Sequence, residues 1–377
     1  MHADRPSAAR TPRLRATLAR ACATLVACAS VAGLAGAAPA APKAVPPELP
    51  AETLTSGGSL AGVSSERVYV ADVVIANIAD GRLRVFDARA GRLLGMINTG
   101  FAGNFALSAK ADEVYIATTY LSRGGRGERS DILEVWDAQT LAFKYEVLLP
   151  PRRAQTLNYR GLVSVTGNGR FVLVQNATPA TSITVVDLAE RKVAGEIQTP
   201  GCWGTLPASA NGQRFSMLCG DGKVATVTLD DKGQVADRQL SDKLFDADGD
   251  AWFHTAEHVG DRFFFLSFKG QLTELDLSGP VARQTATRAL VGAADQKLNW
   301  RPGGYQAFAV HPSGRWAVVA MHDQGREGSH KAPAKQLWVI DLDSGRRLAR
   351  LPGQGTASLT FSKSGQRLQA LDGLTSA

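Results

Sequence analysis

Six times along this chain a short β-rich run ends in an aspartate, turns, and resumes as another strand. The runs are Arg-Leu-Arg-Val-Phe-Asp ending at Asp87, Ile-Leu-Glu-Val-Trp-Asp at Asp137, Ser-Ile-Thr-Val-Val-Asp at Asp187, Ala-Thr-Val-Thr-Leu-Asp at Asp230, Leu-Thr-Glu-Leu-Asp at Asp276 and Gln-Leu-Trp-Val-Ile-Asp at Asp341. Successive aspartates lie 50, 50, 43, 46 and 65 residues apart. Ahead of most of them a second pair of strands flanks a polar turn, as in Leu162-Val-Ser-Val with Arg170-Phe-Val-Leu-Val, or Ala307-Phe-Ala-Val with Arg315-Trp-Ala-Val-Val. Each unit therefore reads as a four-stranded antiparallel meander, and no long amphipathic helix interrupts the series. A small sheet of this kind has two apolar faces and cannot bury both alone. The units must stack face to face, and stacking about an axis gives a β-propeller.

The count predicts an all-β, seven-bladed propeller over residues 59–377 whose last blade is incomplete. The seventh unit opens with Ala357-Ser-Leu-Thr-Phe and Arg367-Leu-Gln-Ala-Leu and has no second half before Ala377. Ring closure calls for a strand from Ser59 to Ser64, or for a chain shorter than a full propeller, because an open ring leaves sheet edges unpaired. The long interval before Asp341 implies an insertion near Gln324 to Lys335.

Residues 1–40 read as an export signal. A basic segment holds Arg5, Arg10, Arg13, Arg15 and Arg20, an uncharged run covers Ala21 to Ala35, and small residues follow as Ala35-Gly36-Ala37 and Ala38-Pro39-Ala40, which places cleavage near residues 37–40. A Pro-rich linker, 41–58, comes next. The apolar run is shorter than the ~20 residues that span a bilayer. The net charge of +7 falls to +3 once these forty residues are set aside, so the body shows no stripe suited to nucleic acid or an anionic membrane. Cys22 and Cys28 would leave with the signal. Cys202 and Cys219 remain, and in an oxidising compartment two thiols read as one disulfide rather than two buried free cysteines.

The chain resembles the large (heavy) subunit of the tryptophan-tryptophylquinone amine dehydrogenases, the methylamine and aromatic amine dehydrogenases of the bacterial periplasm. The resemblance is carried by Glu66-Arg-Val-Tyr-Val, by Gly91-Arg-Leu-Leu-Gly-Met, by Ser122-Arg-Gly-Gly-Arg-Gly-Glu-Arg-Ser-Asp131 with Leu133-Glu-Val-Trp-Asp137, by Cys219-Gly-Asp-Gly222, and by Trp300-Arg-Pro-Gly-Gly-Tyr-Gln306. It implies a seven-bladed propeller with no cofactor of its own. It also implies a small, disulfide-rich partner that carries the quinone, two large and two small chains, and a cupredoxin or cytochrome as electron acceptor. Amine preference is left open, because Asp72-Val-Val-Ile-Ala76 stands where the family commonly has Asp-Pro-Ala-His-Phe. Ile75 and Ala76 are thereby the expected lining of the substrate entrance. Arg123, Arg126 and Arg129 are expected at the partner interface, with Trp300 and Arg301 as an anchor beside them.

No catalytic constellation or metal site is expected within this chain. His254 and His258 are four apart but lack the glutamate of a His-Glu-x-x-His motif, and Asp242 to Asp250 lack a closing glutamate for calcium. Gly124-Gly-Arg-Gly127 lacks the lysine and the strand-to-helix frame of a phosphate cradle. Trp136, Trp316 and Trp338 fall at strand positions where a large ring fills the space between blades. Two rival readings stay open: a non-enzymatic periplasmic propeller that binds a protein or ligand, and a self-sufficient propeller hydrolase, which would need a metal cluster on its axis.

Overall fold

A computed structural model describes residues 58–60, 64–72, 75–155 and 159–373. The expected export signal, 1–40, and nearly all of the expected linker, 41–58, lie outside the described residues. The rest folds as successive antiparallel sheets. The first has six strands in sequence order, β1 (Arg67–Asp72), β2 (Gly81–Asp87), β3 (Arg92–Leu107), β4 (Glu113–Leu121), β5 (Arg129–Asp137) and β6 (Phe143–Leu149). The second has four, β7 (Val163–Val165), β8 (Phe171–Asn176), β9 (Ser182–Asp187) and β10 (Lys192–Gln198). The third holds β11 (Cys202–Pro207), β12 (Arg214–Cys219), β13 (Val224–Leu229) and β14 (Val235–Leu240), and the fourth β15 (Glu257–Val259), β16 (Arg262–Leu266), β17 (Gln271–Asp276) and β18 (Arg283–Ala289). A short helix, α1 (Ala293–Lys297), leads into the fifth, made of β19 (Arg301–Pro302), β20 (Phe308–Val310), β21 (Trp316–His322), β22 (Gln336–Asp341) and β23 (Arg347–Pro352). A two-stranded sheet, β24 (Thr356–Phe361) with β25 (Leu368–Asp372), comes last.

The all-β propeller is the observed architecture, but the number of full blades differs from the seven expected: five sheets have four or more strands, and the last has two. The reason lies in β3, which is 16 residues long. Its first part pairs with β2 and its second with β4, so two repeat units share one strand and merge. Ser59 and Leu60 form no strand, although the Leu60 N–H donates to the Gln139 carbonyl (2.8 Å). The insertion before β22 is present as a loop carrying a single 3₁₀ turn, Ser329–Lys331.

Two-residue periodicity explains the core. On β8 and β9, Val172, Val174 and Val186 point toward Tyr115, Leu133 and Val147 of the first sheet, while Phe171, Leu173, Ile183 and Val185 point toward Phe215, Met217 and Val227 of the third. Each middle strand thus feeds two apolar layers, and similar layers join the third sheet to the fourth, the fourth to the fifth and the fifth to the last. Glu66, before β1, meets Ser364 and Arg367 (3.9 Å) of the β24–β25 turn, bringing the last sheet to the first.

The repeated aspartates have a uniform job. Asp87, Asp137 and Asp187 each accept the backbone N–H groups two and three residues on. Asp230, Asp276 and Asp341 cap their turns in related ways. This is the Asx turn. Every such hairpin also carries a register shift between its two strands, the bulge that lets the outermost strand twist away.

Candidate partner-facing end of the propeller

In an up-and-down meander, the start of each inner strand, the link between the second and third strands, and the end of the outer strand share one end of the sheet. The aspartate turns occupy the opposite end. The expected entrance, interface and disulfide residues fall at the first end: Ile75 and Ala76 between β1 and β2, Arg123 to Arg129 between β4 and β5, Cys202 and Cys219 at the β11 start and β12 finish, and Trp300-Arg301 ahead of β20. Ile75 and Ala76 open a 3₁₀ turn, Ile75–Asp80; their side chains are outside the described residues.

The β4–β5 connection closes on its own backbone. The Ser122 N–H donates to the Glu128 carbonyl (3.0 Å) and the Arg123 N–H to the Arg126 carbonyl (2.9 Å). Gly127 has φ +109°, and a Cβ there would sit 2.3 Å from Ser122 Oγ, so the tip requires glycine. Arg123 and Arg126 stand exposed on that tip and, among the described residues, enter no ion pair.

Arg129 is different. Its Nε and Nη2 donate to the two oxygens of the fully buried Asp131 at 2.8 and 2.6 Å. Asp131 also accepts from Thr119 Oγ1 (2.7 Å) and the Arg153 N–H (3.2 Å). Arg153, 2% exposed, donates onward to Thr119 Oγ1 and to the carbonyls of Phe101, Ala102 and Ala154. Burial pulls the Arg153 pKa down; the Asp131 charge opposes that, and the group stays cationic at neutral pH. Unlike Arg123 and Arg126, the half-buried Arg129 spends its guanidinium on holding the base of the hairpin.

Trp300 is likewise a core residue, 4% exposed, packed at 5.4 Å from Trp338. The expectation of an outward-facing anchor is corrected on this point: the ring fills the layer between the fourth and fifth sheets, an apolar space that a turn position in the sequence gives no hint of. Its neighbour Arg301 is partly exposed, with its guanidinium 5.7 Å from the centre of the Phe268 ring. Cys202 and Cys219 face each other across β11 and β12 and form a disulfide, with Cα atoms 3.9 Å apart.

Toward the axis lies a cluster the sequence did not reveal. Arg160, ahead of β7, pairs with Glu257 on β15 and reaches Thr360 Oγ1 on β24 (3.4 Å). Gln306 Nε2 and the Val310 N–H also approach Glu257, each at 3.5 Å. Burial raises the Glu257 pKa, opposed by Arg160. Tyr159 and Trp203 stack obliquely around His254 at 5.5 and 6.3 Å, and burial lowers the His254 pKa, which keeps the imidazole neutral. Arg160 lies 97 residues from Glu257 and 200 from Thr360, and nothing local marks the cluster.

Among the described residues no group of three or more His, Cys, Asp or Glu side chains is placed to hold a metal ion, and no helix is long and apolar enough to cross a membrane. One tryptophan pair is in ring contact among them, Trp300 with Trp338. It lies in the core, with Arg347 and Arg350 over the Trp338 ring, so these rings do not fit a cross-linked quinone.

Comparison with known proteins gives a consistent result. The profile of the methylamine dehydrogenase heavy chain (MADH) family matches residues 64–366. The methylamine dehydrogenase heavy chain of Methylobacillus flagellatus is 28% identical over 289 residues, covering 76% of this chain and 71% of that one. The heavy chains of Methylophilus methylotrophus and Methylorubrum extorquens are each 27% identical, covering 76% and 88% of this chain and 70% and 81% of theirs.

Proposed function

The chain belongs to the methylamine dehydrogenase heavy chain family, as a large subunit of an amine-oxidising oxidoreductase, and from that premise we propose that it is the scaffold of a periplasmic enzyme converting primary amines to aldehydes and ammonia. The observation that carries the proposal is the family match over 64–366, which takes in both the Ser122–Asp131 hairpin and the Trp300 turn. The partner is a small chain bearing tryptophan tryptophylquinone, and the assembly has two chains of each kind. The quinone, when present on that chain, supplies the carbonyl that the amine attacks and the sink for its electrons, which pass to a cupredoxin or cytochrome.

The same proposal assigns roles to this chain's own residues. Arg123 and Arg126, uncompensated on a self-closed tip, present positive charge to the partner. Arg129, held by Asp131 and backed by Arg153, fixes the base of that tip, so the charges are offered on a rigid support. Ile75 and Ala76 stand where the resemblance puts the substrate entrance, on the link between β1 and β2. In blade terms, the six-stranded sheet counts as two sectors sharing β3, and β24–β25 as the seventh.

The test is purification of the chain from its native source after export. A small co-purifying chain with quinone absorbance is expected, together with amine-dependent dye reduction that disappears when the chains are separated and returns on mixing. Purification as a lone chain without amine-dependent activity would favour the non-enzymatic propeller instead.

A further inference from the structure

We propose that a cleft on the partner-facing end binds a carboxylate group carried on a short aliphatic stem. The cleft, about 400 Å³, lies between the β16–β17 turn and the approach to the fifth sheet. Lys269, Gln271, Gln296 and Arg301 supply its polar lining, while Ala289 and Val291 give it an apolar wall. Gly270, at φ +86°, completes it; a Cβ there would meet Val291 Cγ2 at 2.5 Å, so the close approach of turn and wall depends on this glycine.

The charge balance is what points to an anion. No carboxylate lines the cleft. The acids nearby are already engaged: Asp250 accepts from the Lys269 N–H (2.8 Å) and Ser267 Oγ (2.7 Å), Asp295 is clasped by Arg347 and Arg350, and Asp323 pairs with Lys335. Among the described residues neither the Lys269 ammonium nor the Arg301 guanidinium enters an ion pair. Arg301 lies near the Phe268 ring, a contact that steadies a cation without neutralising it. An incoming carboxylate therefore gains charge-assisted hydrogen bonds from two cations with no resident anion to displace, and its methylenes find Ala289 and Val291. An inorganic anion would leave that apolar wall unused.

Two sources can present such a group: an acidic side chain of the small partner chain, or a free dicarboxylic acid. The first source rests on the function proposed above; the second does not. The experiment uses the full mature chain and succinate as the probe, followed by isothermal calorimetry at two salt concentrations. Saturable binding is expected, weakened at least about tenfold by Lys269→Gln or by Arg301→Gln, and weakened by salt. Circular dichroism and melting confirm that the variants fold. In parallel, association with the small chain is measured for the wild type and the double variant, with and without succinate. Weakened association together with competition by succinate assigns the site to a partner side chain. Succinate binding without effect on association assigns it to a free acid. If wild-type chain does not bind succinate, or the double variant binds it equally well, the proposal is overturned. Should no small chain be found, the functional reading fails while the succinate titration still decides the cleft.

Discussion

The two ends of this propeller are built on different terms. At one end six hairpins repeat one device, an aspartate capping a tight turn followed by a bulge. A residue with positive φ closes four of these turns at the fourth place after the aspartate: Gly91, Leu141, Arg191 and Gly345. That Leu141 and Arg191 adopt φ of +55° and +51°, where a side chain is disfavoured, shows that the hairpin geometry and not the residue decides. At the other end little repeats beyond two matching glycine turns, Cys219–Lys223 and Ser267–Gln271. One link is a self-closed glycine hairpin, another a disulfide, another a long insertion, and the buried charges Arg153, Asp131 and Glu257 all gather there. The lesson is a division of labour: local, interchangeable stabilisation at the turn end, and single, non-redundant long-range ties at the end that carries the candidate functions.

The difference can be broken most severely at Arg153. Arg153→Met leaves Asp131 buried with part of its compensation removed and takes the guanidinium's hydrogen bonds from four carbonyl or hydroxyl acceptors, which should cost about 3–5 kcal/mol. Chemical denaturation of the variant checks this; a loss below 1 kcal/mol would mean that the network is not a structural centre. Next comes the disulfide. Replacing both Cys202 and Cys219 by serine should lower stability by about 3 kcal/mol on the loop-closure estimate, and a reducing agent should destabilise the wild type but not the variant.

At the turn end the effects should be smaller and separable. Asp187 is nearly buried, and although burial alone would raise its pKa, Arg170 and the two turn N–H groups hold it below the ordinary carboxylate value. Asp187→Ala is expected to cost about 2 kcal/mol. A depressed carboxylate contributes stability above the unfolded value of about 3.9 and loses it as pH falls through the folded value. Asp187→Asn, which keeps an acceptor, should therefore lose less than the alanine variant and also lose part of the acid-induced destabilisation below about pH 4. Melting curves between pH 2.5 and 7 measure both. Combining Asp187→Ala with the same change at Asp276 should give additive losses, because the turns are distant and share no partner. Non-additivity would show that the repeats communicate.

Smallest for stability should be Arg123→Ala and Arg126→Ala, within about 0.5 kcal/mol of wild type because both side chains are exposed and unpaired. Their effect is expected instead on the rate of association with the small chain, and chiefly at low salt. Unchanged kinetics at every ionic strength would remove the hairpin from the interface.

What the sequence made legible follows the same division. The strand repeat, the aspartate turns and the insertion before β22 are local patterns, each readable from fewer than ten neighbouring residues plus a spacing. Strand alternation gave the core position of Trp338 in the same way, whereas Trp136 and Trp316 are half-buried at the margins of their apolar layers. Trp300 was misread because Trp-Arg-Pro looks like an exposed turn, while its burial depends on Leu290 and Trp338 arriving from elsewhere. The number of separate sheets falls short of the repeat count because β3 runs on as one strand through Gly100 and Gly103, pairing first with β2 and then with β4, a continuity that the spacing of the repeats does not reveal. Arg160 and Glu257 carried no signal at all, since a pair 97 residues apart is defined only by the closed fold.

The unbroken β3 has a mechanical meaning. Sheets joined by a loop have slack, so one can swing or fray while its neighbour stays zipped. Here the first two units have none: moving one relative to the other requires tearing hydrogen-bonded rungs from β2 or β4. They should resist shear, exchange amide protons and come apart as a single body, which makes the start of the ring a stiff hub about which the looser, loop-linked sectors are arranged.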